Sequence, residues 1–433
     1  MSSVTTQHAR HRPKVLANRA AAILWTLIAL GVVVRLVLSA RSAGDYSVAA
    51  AVGGDNAAPA INALIHGHLS AVVSHQPLMG LASIIFRAPF AALAAAFGAG
   101  HQLTYAMGAL ACLLPTVVLA AWMNARPGIT RQQRLAAGIA ALIVLGGPAT
   151  AEAVHVGHPE EVLTATLATA AALAAVRSRT TLTWVLLGLA VGTKQWAMLA
   201  APAVLLALPE RRVATALKAG ALALLLTGIL PLADPAGFAQ AAASVGELRF
   251  TDPFSIWWPL GSQIAGAGHG GFSPTDHLLP LGLSRSSAAG LGLVAVFTSL
   301  WFYASSRRER RRPADALALL ALCGLARCVI DPAPLHYYYV AVLIPLSAWE
   351  VVTLGRLPVA TALATGAAAS LAGGTIALMA GEAMPLTPGE LSALSLAWSL
   401  ALGLYLARRF VHAGRWRDTT HRLVRPALAR AGV

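Results

Sequence analysis

Along this chain, long apolar runs alternate with short polar turns. A helix that crosses a bilayer needs about 20 mainly apolar residues, within a range of roughly 17–25. Runs of this kind lie near 20–40, 102–123, 135–150, 161–176, 180–193, 195–208, 213–232, 288–304, 314–330, 337–354, 358–379 and 391–407. The pattern predicts an all-α polytopic membrane protein. Two runs, 180–193 and 195–208, are short; they read as half-depth helices or as a tight pair around Lys194. One further apolar stretch, 78–97, is interrupted by Arg87 and Pro89.

Charge decides how 78–97 is read, because basic residues gather on the cytoplasmic side of membrane proteins. With the N-terminus inside and 78–97 not crossing, every basic cluster falls on one side. These are Arg10 to Arg19, Arg126/Arg131/Arg134, Arg177/Arg179, Arg211/Arg212/Lys218, Arg307 to Arg312, Arg356, and the tail from Arg408 to Arg430; together they hold 25 of the 32 Lys and Arg. If 78–97 crossed, every later cluster would change sides. The expectation is therefore about 12 transmembrane helices, with 78–97 an interfacial or re-entrant helix on the outer side and both termini cytoplasmic. Twelve of the 17 Asp and Glu then fall at outer ends or in outer loops, which agrees independently.

Composition points the same way. Hydrophobic residues make up 57% of the 433 and charged residues 11%, against roughly a quarter charged in a soluble chain. A large water-soluble globule is excluded for want of polar surface, and disorder is excluded by the apolar content. The net charge of +15 would suggest nucleic acid in a soluble protein. Here its placement makes it an orientation signal with an attraction to anionic lipid headgroups, so membrane lipids and not nucleic acid are the expected partners. Cys112, Cys323 and Cys328 lie in apolar runs and form neither a ligand spacing nor a disulfide framework. The first apolar run is longer than that of a cleaved signal and reads as an uncleaved helix. The whole chain, 1–433, reads as a single transmembrane domain. It carries a first outer loop at 41–101 with interfacial helices, a second long outer loop at 233–287, and a basic cytoplasmic tail at 408–433. Phe250, Phe254, Trp257, Trp258 and Phe272 in the second loop suit a membrane interface.

The polar residues that are costly in a membrane converge on the outer side. The first outer loop carries Asp45, Asp55, His66, His68 and His75. The turn EAVHVGHPEEVL carries Glu152, His155, His158, Glu160 and Glu161. GTKQWA carries Lys194 and Gln195, and RCVIDPAPLHYYYV carries Arg327, Asp331, His336 and Tyr337 to Tyr339. Ionisable groups near membrane depth mark function by default, and four such turns on one face predict one outward-facing pocket. Pro59 bears on Asp55: a helix capped at Asp55 would need an N–H where Pro59 has none. A helix opening at Pro59 leaves Asp55 in a Gly-Gly-Asp-Asn turn facing the site. Lys194 reads either as an anion-binding group or as a lysine snorkelling to headgroups. His158 with Glu160 and Glu161 is a polar turn or a metal site, although the spacing matches no metal signature. His336 and Tyr337 to Tyr339 are an aromatic belt or contact a ligand. Arg35, Arg87 and Arg327 read as structural, and the cysteines as small core residues.

In order and spacing these residues resemble the GT-C class of membrane glycosyltransferases. They are most similar to the glycosyltransferase family 87 polyprenyl-phosphate-mannose-dependent mannosyltransferases of actinobacteria. The features that carry the likeness are Asp55 followed by a short helix Ala60–Ile65 and Gly67, then Gln76-Pro77-Leu78, Gly157-His158-Pro159-Glu160, Gly192-Thr193-Lys194-Gln195, and His336-Tyr337-Tyr338. Gly-His-Pro-Glu stands where the family more often has Gly-Gln-x-Asn, and a single Pro77 stands for a Pro pair. The resemblance implies a GT-C-like fold and transfer of a hexose, mannose by family default, with inversion. The donor would be a polyprenyl-phosphate sugar and the acceptor a glycolipid or glycan at the outer face of the plasma membrane, with no cofactor and no metal ligands among the site residues. It implies Asp55 as the catalytic base. Lys194, His336, His158, Glu160, Gln195, Asp45 and Tyr337 would bind substrate. A single carboxylate suffices for such a base because phosphate leaves readily, whereas hydrolytic glycosidases use two. The rival readings are a multi-pass transporter or flippase of lipid-linked glycans, whose sites are often marked by broken helices, and a ligase or polymerase of lipid-linked glycans.

Overall fold

The computed structural model of the protein describes residues 5–39, 57–75, 80–125, 129–246, 250–251, 253, 255–264, 276–305, 313–332, 335–379 and 386–429. Within them the chain is almost entirely helical, and the strands are three of two residues each. Among the described residues, six helical stretches are long and apolar enough to cross a membrane: Arg19–Leu38, His101–Ala125, Arg131–His155, Arg212–Ala233, His336–Leu354 and Pro388–Arg408. The protein is thus an all-α protein of membrane character, and these six coincide with six of the apolar runs. The other six runs are helical as well, at Glu160–Val176, Thr180–Thr193, Gln195–Ala207, Leu281–Ser305, Ala316–Ile330 and Val359–Met379.

The Glu160–Val176 helix is the spine of the bundle. Its neighbours are the helices His101–Ala125, Thr180–Thr193, Ala201–Ala207, Ala316–Ile330 and Val340–Trp349. It is buried all round, from Glu160 and Glu161 at its start to Ala174 and Ala175 near its end. Alanine at 165, 168, 171, 172, 174 and 175 lets these neighbours approach closely. Gly324 serves a similar contact, since a Cβ there would lie 2.5 Å from the Ala341 carbonyl oxygen.

Within the 78–97 stretch, Leu81–Ala96 forms one helix with Pro89 inside it. Its 16 residues span about 24 Å, less than the roughly 30 Å of a hydrocarbon core. Arg87 is buried on the face that meets the His101–Ala125 helix and is accommodated by Gly108. Two short helices come before the Leu81–Ala96 helix, Ala58–Ile65 and Leu69–His75; the first has Pro59 in its first turn, one residue from where the proline argument puts its start.

The described residues between Ala233 and Leu281 are tied to the bundle. They hold the helix Pro235–Gly246 and a small antiparallel sheet in the order Phe250–Thr251, His277–Leu278, Ser262–Gln263. Trp258 stacks on His277 with ring centroids 4.5 Å apart. Trp257 Nε1 donates to the Ile330 carbonyl at 2.7 Å, which satisfies an end carbonyl of the Ala316–Ile330 helix. Ser392 donates to the Ser255 carbonyl at 3.1 Å. Phe254 and Phe272 lie outside the described residues.

The bundle has two chemically different ends. At one, Arg134 donates to the Asn124 carbonyl at 2.7 Å and the Arg177 guanidinium lies 3.9 Å from the Trp122 ring centre. Glu350, Arg356 and Tyr405 meet at that end too. The opposite end gathers Arg87, Glu160, Glu161, Lys194 and Arg327.

Candidate functional site

Three turns build the site, and each has a local reason for its shape. The Pro148–His155 helix ends with Gly157 in the left-handed region at φ +87°, and the His158 N–H donates to the Ala153 carbonyl at 2.7 Å. This is the helix-ending arrangement that favours glycine. Two residues later the Glu160–Val176 helix begins with two carboxylates in its first turn, where the helix dipole favours negative charge. Consecutive residues on a helix point about 100° apart, so Glu160 and Glu161 face different neighbours.

The second turn is the break at Lys194. The Thr180–Thr193 helix stops, Lys194 is extended (φ −144°, ψ 132°), and a 3-10 turn Gln195–Ala200 leads into Ala201–Ala207. Two glycines make the break possible. The Gly80 N–H donates to the Thr193 carbonyl at 3.0 Å, and a Cβ on Gly80 would lie 1.8 Å from the Gly192 carbonyl oxygen. Gly192 in turn packs against Leu226. The start of the Leu81–Ala96 helix is thereby locked onto the Lys194 turn. The third turn is His336–Tyr339, another 3-10 segment, which opens the Val340–Trp349 helix.

The charges of these turns meet. Lys194 Nζ lies 3.3 Å from Glu160 Oε1 and 3.3 Å from Glu161 Oε1. Arg327 grips Glu161 bidentately, at 2.9 Å to Oε2 and 3.2 Å to Oε1, and Trp196 Nε1 donates to Glu161 Oε2 at 2.7 Å. The Arg327 guanidinium lies 3.6 Å from the Tyr338 ring centre and 4.7 Å from that of Trp196. Glu160 Oε1 also meets His158 Nδ1 at 3.1 Å, while Oε2 has no hydrogen bond and faces Arg87 Nη1 at 4.0 Å. His158 packs on Tyr337 at 5.2 Å between ring centroids, and His336 Nδ1 lies 3.6 Å from Glu152 Oε1.

Lys194, Arg327 and Arg87 face Glu160 and Glu161, and Asp331 adds a third carboxylate that acts on Arg327, so the described cluster is close to charge balance. Burial orders the cations. The side chain of Lys194 is 19% exposed, that of Arg327 6% and that of Arg87 1%, while both glutamates are fully buried. Lys194 is therefore where a solvent-borne anion would first meet the cluster. Such a desolvated, charge-assisted contact is worth about twice a neutral hydrogen bond.

Of the residues expected in the site, the structure brings together Lys194, His158, Glu160, Tyr337 and His336. Gln195 is adjacent and exposed. Asp45 and Asp55 lie outside the described residues. His66, His68 and His75 are exposed, with the first two rings stacked 6.3 Å apart. Among the described residues, no three of His, Cys, Asp and Glu converge to hold a metal ion. The three cysteines are buried. Sequence reasoning assigned structural roles to Arg87 and Arg327 and gave no role to Trp196. A counter-ion argument would have found the arginines, because two adjacent glutamates opening an apolar helix require cations from other helices. Comparison with protein-family models, with curated proteins and with solved structures finds no match.

Proposed function

We propose that this protein is an integral membrane hexosyltransferase of the GT-C type. It would move a hexose, mannose by the family default, from a polyprenyl-phosphate donor to a glycolipid or glycan acceptor, with inversion. In this reading all twelve apolar runs cross the plasma membrane, both termini are cytoplasmic, and the charge cluster faces outside. The basic residues Arg134, Arg177 and Arg356 at the opposite end of the bundle agree with that orientation.

The observation that carries the reading is the cluster of Lys194, Arg327 and Arg87 around Glu160 and Glu161, with Lys194 as its most accessible cation. A polyprenyl phosphate leaves as an anion, and fixed positive charge stabilises that developing charge without reorganisation. The Asp55 carboxylate takes the proton of the acceptor hydroxyl. The acceptor oxygen forms a bond to the anomeric carbon as the bond from that carbon to the phosphate oxygen breaks. The electron pair departs with the polyprenyl phosphate. The two glutamates hold Lys194 and Arg327 in place, and Trp196 and Tyr338 fix the Arg327 plane.

The test is transfer by purified protein from a labelled polyprenyl-phosphate sugar to a lipid acceptor. Asp55→Asn should lower turnover by roughly 10²–10⁴ while the protein still inserts and folds. Normal turnover in Asp55→Asn with loss in Asp45→Asn would reverse the assignment of the two acids. The unwound break at Lys194 favours a second reading, a transporter of lipid-linked glycans, since broken helices build such sites. Movement of an intact labelled lipid across a bilayer, with no new glycosidic bond, would select it.

A further inference from the structure

Beside the charge cluster stands a further carboxylate, Glu152, that the cluster does not use. It lies in the last turn of the Pro148–His155 helix, whose placement is fixed from two sides. The Thr150 hydroxyl donates to the Val144 carbonyl at 2.6 Å, and the Tyr105 hydroxyl donates to the Val154 carbonyl. Ala149, Ala153 and Val154 are buried on this helix. Glu152 adjoins them on the side of the His336–Tyr339 turn, where its Oε1 lies 3.6 Å from His336 Nδ1.

Three observations set Glu152 apart from Glu160 and Glu161. First, among the described residues no Lys or Arg lies within ion-pair distance of it, whereas Lys194, Arg327 and Arg87 hold the other two. Second, its side chain is 26% exposed, while theirs are fully buried. Third, its Oε2 is nonetheless buried and accepts no hydrogen bond. The side chain stands at the edge of the interior with an acceptor turned away from water. A buried acceptor without a donor is costly, and such a group in a folded protein calls for an explanation. A ligand hydroxyl supplies one.

The neighbours indicate which ligand. Contacts run from Lys194 through Glu160 to His158, from His158 to Tyr337, and from the adjacent His336 to Glu152. Lys194 and Glu152 end this row and are its most exposed charged members. The two ends differ in sign. Of the groups that the proposed substrates carry, phosphate is kept from Glu152 by charge and hydrocarbon chains supply no donor, so sugar hydroxyls remain. A hydroxyl donates to a carboxylate in a charge-assisted bond, about twice as strong as a neutral one.

We propose that Glu152 is the sugar-recognising carboxylate of this site, accepting hydrogen bonds from hydroxyls of a hexose. With His336 beside Oε1, Oε2 is the acceptor left for the ligand. The proposal rests on the transferase reading, in which sugar hydroxyls arrive on the donor and on a glycan acceptor. The two share this chemistry, and the experiment separates them.

Transfer by purified full-length protein is measured with the parent donor and acceptor and with each monodeoxy form of either sugar. Glu152→Gln keeps the size of the side chain and removes its charge. With the parent sugars it should raise the KM of one substrate about tenfold, the difference between a charge-assisted and a neutral contact, with little change in kcat. Removing the recognised hydroxyl should cost the wild type at least as much and cost Glu152→Gln far less, because two changes to one contact are not additive. Such merging at a donor hydroxyl assigns the donor sugar; at an acceptor hydroxyl it assigns the acceptor. Glu152→Asp keeps the charge but draws the carboxylate back by one methylene. It should give the same pattern, and it serves if Glu152→Gln does not fold. A carboxylate that only props His336 would lower transfer of every analogue by one common factor. That result overturns the proposal, as does an unchanged KM for both substrates. If the wild type forms no glycosidic bond, the transferase reading fails by itself. Thermal unfolding with mannose 1-phosphate and its monodeoxy forms then decides on Glu152, since a ligand of the folded state raises the unfolding temperature. A saturable rise that needs about tenfold more ligand in Glu152→Gln supports the assignment; no rise, or the same rise in both, overturns it.

Discussion

Two buried carboxylate knots sit at opposite ends of the His336–Leu354 stretch, about 20 Å apart by helical rise, and they are built differently. Near its end, Glu350 is fully buried and all its demands are met locally. It accepts from the Ala360 and Thr361 N–H groups at 3.1 and 2.9 Å, from the Thr361 hydroxyl at 2.9 Å, and from Arg356 at 3.2 Å. At the other end Glu160 and Glu161 are held by cations from distant helices, Arg87, Lys194 and Arg327, and Glu160 Oε2 has no hydrogen bond. The first knot ends a helix, with the chain leaving through a left-handed Gly355. The second is held by cations from three separate elements, one of them, Lys194, partly exposed. A buried carboxylate satisfied mainly by backbone and hydroxyl donors has little to offer an anion, whereas one held by a partly exposed ammonium presents a cation that an anion can reach.

The sharpest way to break this comparison is at Glu350. Glu350→Ala strands two backbone amides and a hydroxyl, at about 1–3 kcal/mol each when buried without a partner. A loss of stability on the order of 3–5 kcal/mol is expected in thermal or denaturant unfolding. Sugar transfer per folded molecule should not change; a variant that stays stable and loses transfer would place Glu350 in the wrong class.

Lys194→Met should act the other way round. Donor use at limiting concentration falls roughly 10–150-fold, because a charge-assisted contact of about 1.5–3 kcal/mol is lost. The stability loss is smaller than at Glu350, since Glu161 keeps Arg327 and Glu160 keeps Arg87 within ion-pair reach. Lys194→Arg should restore part of the activity, limited by exchanging a compact ammonium for a planar fork. A lysine that merely snorkels predicts silence in both variants, and equal transfer by wild type and Lys194→Met would remove it from the site.

Tyr338→Leu tests whether the aromatic faces hold the Arg327 plane. The cation–π contact is worth about 0.5–2 kcal/mol, so a several-fold rise in the donor KM is expected with little change in kcat. The smallest effect belongs to Arg356→Ala. Its side chain is 39% exposed, and Glu350 retains three other donors, so the stability change should stay within about 1 kcal/mol. An effect as large as that of Glu350→Ala would show that the first knot depends on charge after all.

The order of the apolar helices was legible without coordinates, and particular residues show why, whereas the helix Pro235–Gly246 and the small sheet after it were not. Pro59 fixes its φ and lacks an N–H, which puts the start of the Ala58–Ile65 helix within one residue of the proline. Lys194, set between two runs too short to cross, marks a break, and the chain is extended there. Pro89, by contrast, does not end its helix. It sits inside a continuous Leu81–Ala96 helix, held there by packing on the His101–Ala125 helix. Helix interruption by proline is a local cost that tertiary contacts outweighed.

The partners of the charges were not legible, for a reason specific to this composition. A helix in water displays an apolar stripe that tells which face turns inward, but the Glu160–Val176 helix is buried all round, so no stripe names its neighbours. Arg327 and Glu161 are 166 residues apart, Trp196 and Glu161 are 35 apart, and no spacing rule links them. The amino-acid sequence by itself determined that this is a helical protein of membrane character, because transfer of apolar side chains and of charge into a bilayer is priced residue by residue. Only the tertiary structure decided which cation answers which carboxylate, because that depends on where Gly80 lets one backbone touch another and on which faces of alanine-rich helices meet.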